Sequence, residues 1–226
     1  MPRPRRGRCH VHRLGQAPVT VSRATWLRLA AGWLLAYATG AAVAVAVKHA
    51  GGWNTGTPWD LAVLHRVHTS LPKWTDAFLL AIPWLGTNIT IFAVLVPFAL
   101  WLWKRKREDI ITILGAAAVG NYLLNLLTKF SFGRPRPSLW PRRGEYTWAS
   151  YPSGHVIAML SVLLFAAWLL HRERGAIWAY ILWMPVFVAM VYSRLYLGVH
   201  WPTDVVGGFA IGIVWLATLW LVFRQP

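Results

Sequence analysis

Six apolar runs recur along the chain, each bounded by polar or charged residues: Ala24 to Val47, Ile82 to Trp103, Ile110 to Thr128, Val156 to Leu170 with the turn before it, Ala176 to Tyr196, and Val205 to Phe223. Each approaches the roughly twenty residues that an α-helix needs to cross a hydrocarbon core. The pattern predicts an all-α fold, a polytopic membrane helical bundle with six transmembrane helices over residues 24–226, after a basic arm over 1–23. Between the first two runs, Gly51-Gly52-Trp53-Asn54-Thr55-Gly56-Thr57-Pro58 is rich in turn residues. Trp59 to Ser70 then carries Leu61, Leu64 and Val67 at helical spacing, which predicts an amphipathic helix lying along the outer interface. No internal repeat or low-complexity segment interrupts this plan.

Composition agrees with a bilayer. At 57% hydrophobic and 13% charged residues, the 226-residue chain is too oily for a soluble domain. Trp101, Trp103, Trp140, Trp148, Trp201 and Trp220, among sixteen tryptophans, fall near predicted helix ends, where indole rings favour the headgroup region. Cys9 is the single cysteine, so no intramolecular disulfide and no cysteine metal cluster can form.

A net charge of +16 would point to nucleic acid in a soluble protein, but its distribution argues for topology instead. Seven of the 23 basic residues are arginines at or before position 28, Lys104-Arg105-Lys106-Arg107 follow the second run, Arg172 and Arg174 follow the fourth, and Arg224 follows the last. Six crossings put these fourteen on one side, which the positive-inside rule makes cytoplasmic. The arm then serves as an orientation signal touching anionic lipid, and no nucleic-acid partner is expected. Its arginines followed by an apolar run resemble a signal peptide, yet the run exceeds a signal core and Arg28 lies within it, which predicts a retained first helix.

Three polar stretches stand at the ends of apolar runs. In Lys129-Phe-Ser-Phe-Gly-Arg134-Pro135-Arg136-Pro137, two prolines stiffen the backbone from which guanidinium forks project, a geometry suited to phosphate oxygens. Pro152-Ser153-Gly154-His155 opens the fourth helix, and a helix N-terminus with a glycine admits an anion closely. Ser193-Arg194 closes the fifth helix and His200-Trp201-Pro202-Thr203-Asp204 opens the sixth, where Asp204 is able to accept His200 Nδ1–H and leave Nε2 facing a substrate. Taken singly, these are caps, dipole partners and interfacial anchors. Back-and-forth threading brings all three to the non-cytoplasmic face, and charged groups beside apolar spans are costly unless they pair or act.

The remaining polar positions have simpler readings. His65 and His68 are expected as interfacial polar residues, Glu108 and Asp109 as partners of a helix dipole, and Asn121 and Asn125 as hydrogen-bonding groups between helices. Gly208 and Gly212 form a small-xxx-small packing pair.

In order and spacing, Lys129-x6-Arg136-Pro137, Pro152-Ser153-Gly154-His155 and Ser193-Arg194-x5-His200-x3-Asp204 resemble the three-part signature of the type 2 phosphatidic acid phosphatase family, which vanadium-dependent haloperoxidases share. No signature position is substituted. The resemblance implies a membrane lipid phosphatase that needs no metal or other cofactor. It implies that Lys129, Arg136, Arg194, Ser153 and the Gly154 amide hold the phosphoryl oxygens, that His200 attacks phosphorus with Asp204 orienting it, and that His155 protonates the leaving oxygen. A phosphohistidine would then be hydrolysed. Its substrate would be a lipid phosphate or diphosphate, such as phosphatidate, phosphatidylglycerophosphate or undecaprenyl diphosphate. Six spans count against a haloperoxidase. A lipid phosphotransferase and a non-enzymatic lipid transporter or binding protein stay open, as do the oligomeric state and the role of Arg134.

Overall fold

The structure, a computed structural model, describes residues 22–141 and 149–223; the arm expected over 1–23, Trp148 and Arg224 fall almost wholly outside these residues. Helix α1 (Arg23–His49) starts at Ser22, whose hydroxyl accepts from the Thr25 amide in a capping box. Helix α2 (Pro58–His68) starts in the same way, with Thr57 and Asp60 exchanging backbone and side-chain bonds and proline at its first position. Then follow α3 (Asp76–Ala81), α4 (Asn88–Lys104), α5 (Glu108–Phe132), α6 (Gly154–Ala158), α7 (Phe165–Arg174), α8 (Trp178–Tyr196) and α9 (Pro202–Phe223). A π-helical turn, Met159–Leu164, makes α6 and α7 one continuous run.

Five helices are each long and apolar enough to cross a membrane: α1, α5, the α6–α7 run, α8 and α9. A bent pair, Asp76–Gly86 and Ile89–Lys104, meeting at 48°, brings the candidate spans to six when it is counted as one. One membrane span was expected from Ile82 to Trp103. The chain bends because Pro83 lies in a 3₁₀ turn over Ile82–Gly86 and Thr87 takes an extended conformation to cap α4.

Helix α9 is the axis of the bundle. Helix α1 lies along it, and α6 with the π turn packs against it through Gly208 and Gly212. Glycines permit that approach: a Cβ on Gly208 would stand 2.8 Å from the Ser153 carbonyl oxygen, and one on Gly212 would stand 3.0 Å from Leu160 Cδ1. The packing role expected for this pair is what the structure shows. Indole N–H groups tie helices together through backbone carbonyls, Trp33 to Gly120 at 3.0 Å, Trp215 to Ala117 at 3.2 Å and Trp183 to Met159 at 2.9 Å. Large apolar side chains such as Leu34, Phe92, Val119 and Leu182 point outward, as lipid-facing surfaces require.

The amphipathic helix α2 docks on α8. His68 Nδ1 pairs with the Tyr196 carbonyl at 3.0 Å, the imidazole stacks on Trp140 at 3.9 Å, and the Ser70 and Tyr192 hydroxyls hydrogen-bond. At the opposite end, Glu108 and Asp109 occupy the first turn of α5, but no side chain caps that helix. Asp109 and Glu173 instead hold Arg107, with contacts of 3.2 and 2.9 Å, joining the second and fourth connections.

Candidate active site

The three polar stretches meet because each sits where a helix ends on the same side of the bundle. Helix α5 ends at Gly133, which adopts the left-handed conformation that favours glycine (φ 56°) and turns the chain into the Arg134–Pro137 segment. Ser150 fastens that segment to the approach of α6: its amide donates to the Arg134 carbonyl at 2.8 Å and its hydroxyl to the Pro135 carbonyl at 3.0 Å. The Trp201 indole donates to the same Pro135 carbonyl at 3.0 Å, and the Ser153 amide donates to the Asp204 carbonyl at 3.0 Å.

These ties enclose a cavity of about 300 Å³, lined among others by Lys129, Arg136, Gly154, His155, Arg194 and His200. The cations are held by backbone carbonyls. Lys129 Nζ donates to Ala149 at 2.5 Å and to Pro152 at 3.3 Å, and an Arg136 guanidinium nitrogen donates to Val199 at 2.6 Å. Arg194, almost wholly buried, donates to the Ser193 hydroxyl at 3.4 Å. Ser153 stands at the N-cap of α6 but makes no capping bond, and its buried Oγ has no hydrogen-bond partner among the described residues. A buried hydroxyl in that state is suited to a ligand.

His200 lies in the loop between α8 and α9, nearly all of its surface covered. Burial first, then the charges of Arg136, Lys129 and Arg194, push its pKa well below the ordinary imidazole range, so the ring is neutral near neutral pH. Its Nδ1 lies 3.4 Å from Asp204 Oδ2, close but without the geometry of a hydrogen bond. The shorter bonds of that carboxylate go elsewhere: Oδ2 accepts from the Trp201 amide at 2.8 Å and Oδ1 from Arg134 at 2.7 Å. Catalytic pairs often tighten only when substrate binds.

Of the eight residues singled out in the sequence, six line the cavity, while Ser153 and Asp204 are buried next to the lining residues Gly154 and His200. Asn121 accepts from Ser161 at 3.5 Å, an interhelical bond as expected. Asn125 differs: it lines the cavity against Gly154, and its buried Oδ1 has no partner among the described residues. Gly86, Thr87 and Tyr122 complete much of the remaining wall.

A family model, the PAP2 superfamily, matches residues 110–226, which include every one of these eight positions. The chain belongs to the PAP2 superfamily. An undecaprenyl-diphosphatase of Sulfolobus acidocaldarius is 35% identical over 127 residues, covering 53% of this chain and 57% of that protein. Phosphatidylglycerophosphatase B of Bacillus subtilis is 27% identical over 177 residues, covering 68% of this chain and 86% of that one. The crystal structure of a transmembrane PAP2-type phosphatidylglycerolphosphate phosphatase from Bacillus subtilis superposes with a TM-score of 0.64 at 25% identity, covering 85% of this chain and 94% of that chain. The protein is thus a multi-pass membrane member of the PAP2 superfamily, and the relatives named above are phosphatases.

One residue of this PAP2 protein was not legible in the sequence, and the structure fixes the place of another. Asp60 on α2 is fully buried and meets Arg134 and Thr203, far from it in sequence. Its only sequence signal is the Thr57-x-x-Asp60 spacing, which reads as a capping box and is one. Arg134, whose role the sequence left open, is fully buried in the same cluster and does not line the cavity.

Proposed function

We propose that this PAP2 protein hydrolyses lipid phosphates or diphosphates through a phosphohistidine on His200, at a site facing away from the cytoplasm. The observation that carries the reading is the single cavity into which three cations and two histidines converge. Lys129, Arg136 and Arg194 bind the phosphoryl oxygens and stabilise the charge that accumulates on them in the transition state. The neutral His200 ring attacks phosphorus through Nε2 while the bond to the leaving oxygen breaks, and His155 gives that oxygen a proton. Water then attacks the phosphohistidine, His155 takes its proton, and inorganic phosphate departs. Ser153 and Gly154 contribute donors at the start of the α6–α7 run.

Lipid specificity is supported by a second, apolar hollow of about 410 Å³ between α4 and α5, lined by residues such as Ile91, Phe92, Ala118, Val119 and Val162. It adjoins the polar cavity at Asn121 and Tyr122, so a headgroup in one reaches its chain in the other. The named relatives direct attention to undecaprenyl diphosphate and phosphatidylglycerophosphate as first substrates. The outward orientation rests on the fourteen basic residues that six crossings assign to the opposite side.

Purified protein in detergent, given undecaprenyl diphosphate, phosphatidylglycerophosphate or phosphatidate, should release inorganic phosphate from at least one of them. Turnover should survive EDTA, because amino-acid cations supply the neutralising charge. Phosphate release only after a second lipid acceptor is added would indicate a transferase. No release with any of them would leave a transporter or binding protein, and a strict need for added magnesium would overturn the site chemistry.

A further inference from the structure

Behind His200 lies a buried charge cluster that reaches a helix outside the matched family region. The side chains of Asp60, Arg134 and Asp204 are all fully buried. Arg134 uses all five of its N–H groups: Nε donates to the Trp53 carbonyl at 3.1 Å, one terminal nitrogen to Asp204 Oδ1 and the Thr203 hydroxyl, both at 2.7 Å, and the other to the Gly52 carbonyl at 2.7 Å and Asp60 Oδ2 at 3.3 Å. The rings of Trp53 and Trp201 stand 5.3 and 5.4 Å from its guanidinium carbon. Asp60 also grips the start of α9 directly, accepting from the Thr203 amide at 2.8 Å and the Thr203 hydroxyl at 2.9 Å.

Charge counting makes this arrangement more than a staple. With both carboxylates ionised, two carboxylates and one guanidinium leave one net negative charge, facing the Lys129, Arg136 and Arg194 charges that act on His200 from the cavity side. Arg134 and Asp204 alone would be neutral as a pair. With Asp60 present, the surplus lies beside His200, whose Nδ1 is 3.4 Å from Asp204. On the reading of His200 as nucleophile, forming the N–P bond makes its ring positive with Nδ1 protonated, and the cluster becomes balanced at that moment.

We propose that Asp60, acting through Arg134 and Thr203, is a positioning residue that holds Asp204 against His200 and supplies the surplus negative charge that stabilises the phosphorylated imidazolium. The relay runs from α2 at the interface to the first turn of α9. It makes the amphipathic helix part of the catalytic apparatus, although α2 contributes no cavity wall.

The test uses the full-length protein in detergent with p-nitrophenyl phosphate as phosphoryl donor. Asp60→Asn keeps the shape and removes the surplus charge. It should lower kcat by roughly 10- to 100-fold, the range for groups that orient a reacting side chain from behind, and leave KM within about threefold. Vanadate, which mimics the five-coordinate transition state bonded to His200, should inhibit the variant about tenfold less strongly, whereas competitive inhibition by inorganic phosphate should change little. Asp60→Asn/Arg134→Gln, which restores the net negative charge, should be more active than Arg134→Gln, which leaves two buried carboxylates uncompensated.

Equal weakening of vanadate and phosphate would show that Asp60 only shapes the pocket, and wild-type kcat in Asp60→Asn would overturn the relay. His200→Ala is the control. Its inactivity beside a fully active Asp60→Asn would sink the relay alone, while turnover in His200→Ala would sink the nucleophile assignment itself.

Discussion

At the scale of single residues, the proposed function assigns attack to His200 and protonation of the leaving oxygen to His155. His155 is in the first turn of α6, while His200 is in a loop whose backbone is pinned by Asp204 through the Trp201 amide. A nucleophile is required for any substrate, but an acid matters in proportion to how poorly the leaving oxygen departs. His200→Ala should therefore abolish hydrolysis of alkyl and aryl phosphates alike. His155→Ala should cost about 10²- to 10⁴-fold with a lipid alkyl phosphate and clearly less with p-nitrophenyl phosphate. Measuring kcat/KM for both variants across a leaving-group series checks this, and parallel dependence in the two variants would refute the assignment. The motif residues were legible in the sequence because Arg, Lys and His beside apolar spans have few inexpensive roles. Asp60 was not, because a short-range capping bond accounts for an aspartate three residues after Thr57, and nothing local signals that its carboxylate also meets Arg134 and Thr203. Asn125 was obscured by Asn121: the two are one turn apart and chemically identical, and only the packing of Gly154 against Asn125 separates a cavity wall from an interhelical bond.

At the scale of elements, the site depends on how closely α6 approaches α9. The glycine pair makes this measurable, because its two members face different obstacles. At Gly208 a new Cβ meets the Ser153 carbonyl, which belongs to the backbone entering α6 and cannot swing aside. At Gly212 it meets Leu160 Cδ1 at 3.0 Å and Cβ at 3.1 Å, and the nearest backbone atom, Ile157 Cα, is at 3.4 Å rather than 2.8 Å. Gly208→Ala should destabilise the protein by about 1–3 kcal/mol, as overpacking does, and should lower kcat by displacing Ser153 and Gly154. Gly212→Ala should be milder on both counts. Thermal unfolding in detergent together with turnover checks the contrast, and equal effects would mean that the approach does not set the site's geometry. All six candidate spans, the bent pair included, were legible from apolar run length, and the amphipathic helix α2 from its helical spacing. The bend between Asp76–Gly86 and Ile89–Lys104 was not, because hydropathy records depth in the membrane and not direction. Pro83 and the capping residue Thr87 together produce it.

At the scale of the whole molecule, one end of the bundle gathers the chemistry and the other gathers positive charge. Lys129, Arg136, His155, Arg194 and His200 surround one cavity, while Lys104 to Arg107, Arg172 and Arg174 lie at the opposite helix ends. An apolar hollow between α4 and α5 adjoins the cavity, where the proposed function puts the lipid chain. The central claim joins these parts: a lipid-phosphate hydrolase presenting His200 outside the cytoplasm. It is tested most directly by supplying intact cells that express the protein with a membrane-impermeant, short-chain analogue of the lipid phosphate that the purified protein hydrolyses, and measuring phosphate in the medium. The account predicts release by intact cells, no increase on lysis, and none above background with His200→Ala; release that appears only after lysis, or that persists in His200→Ala, would contradict it.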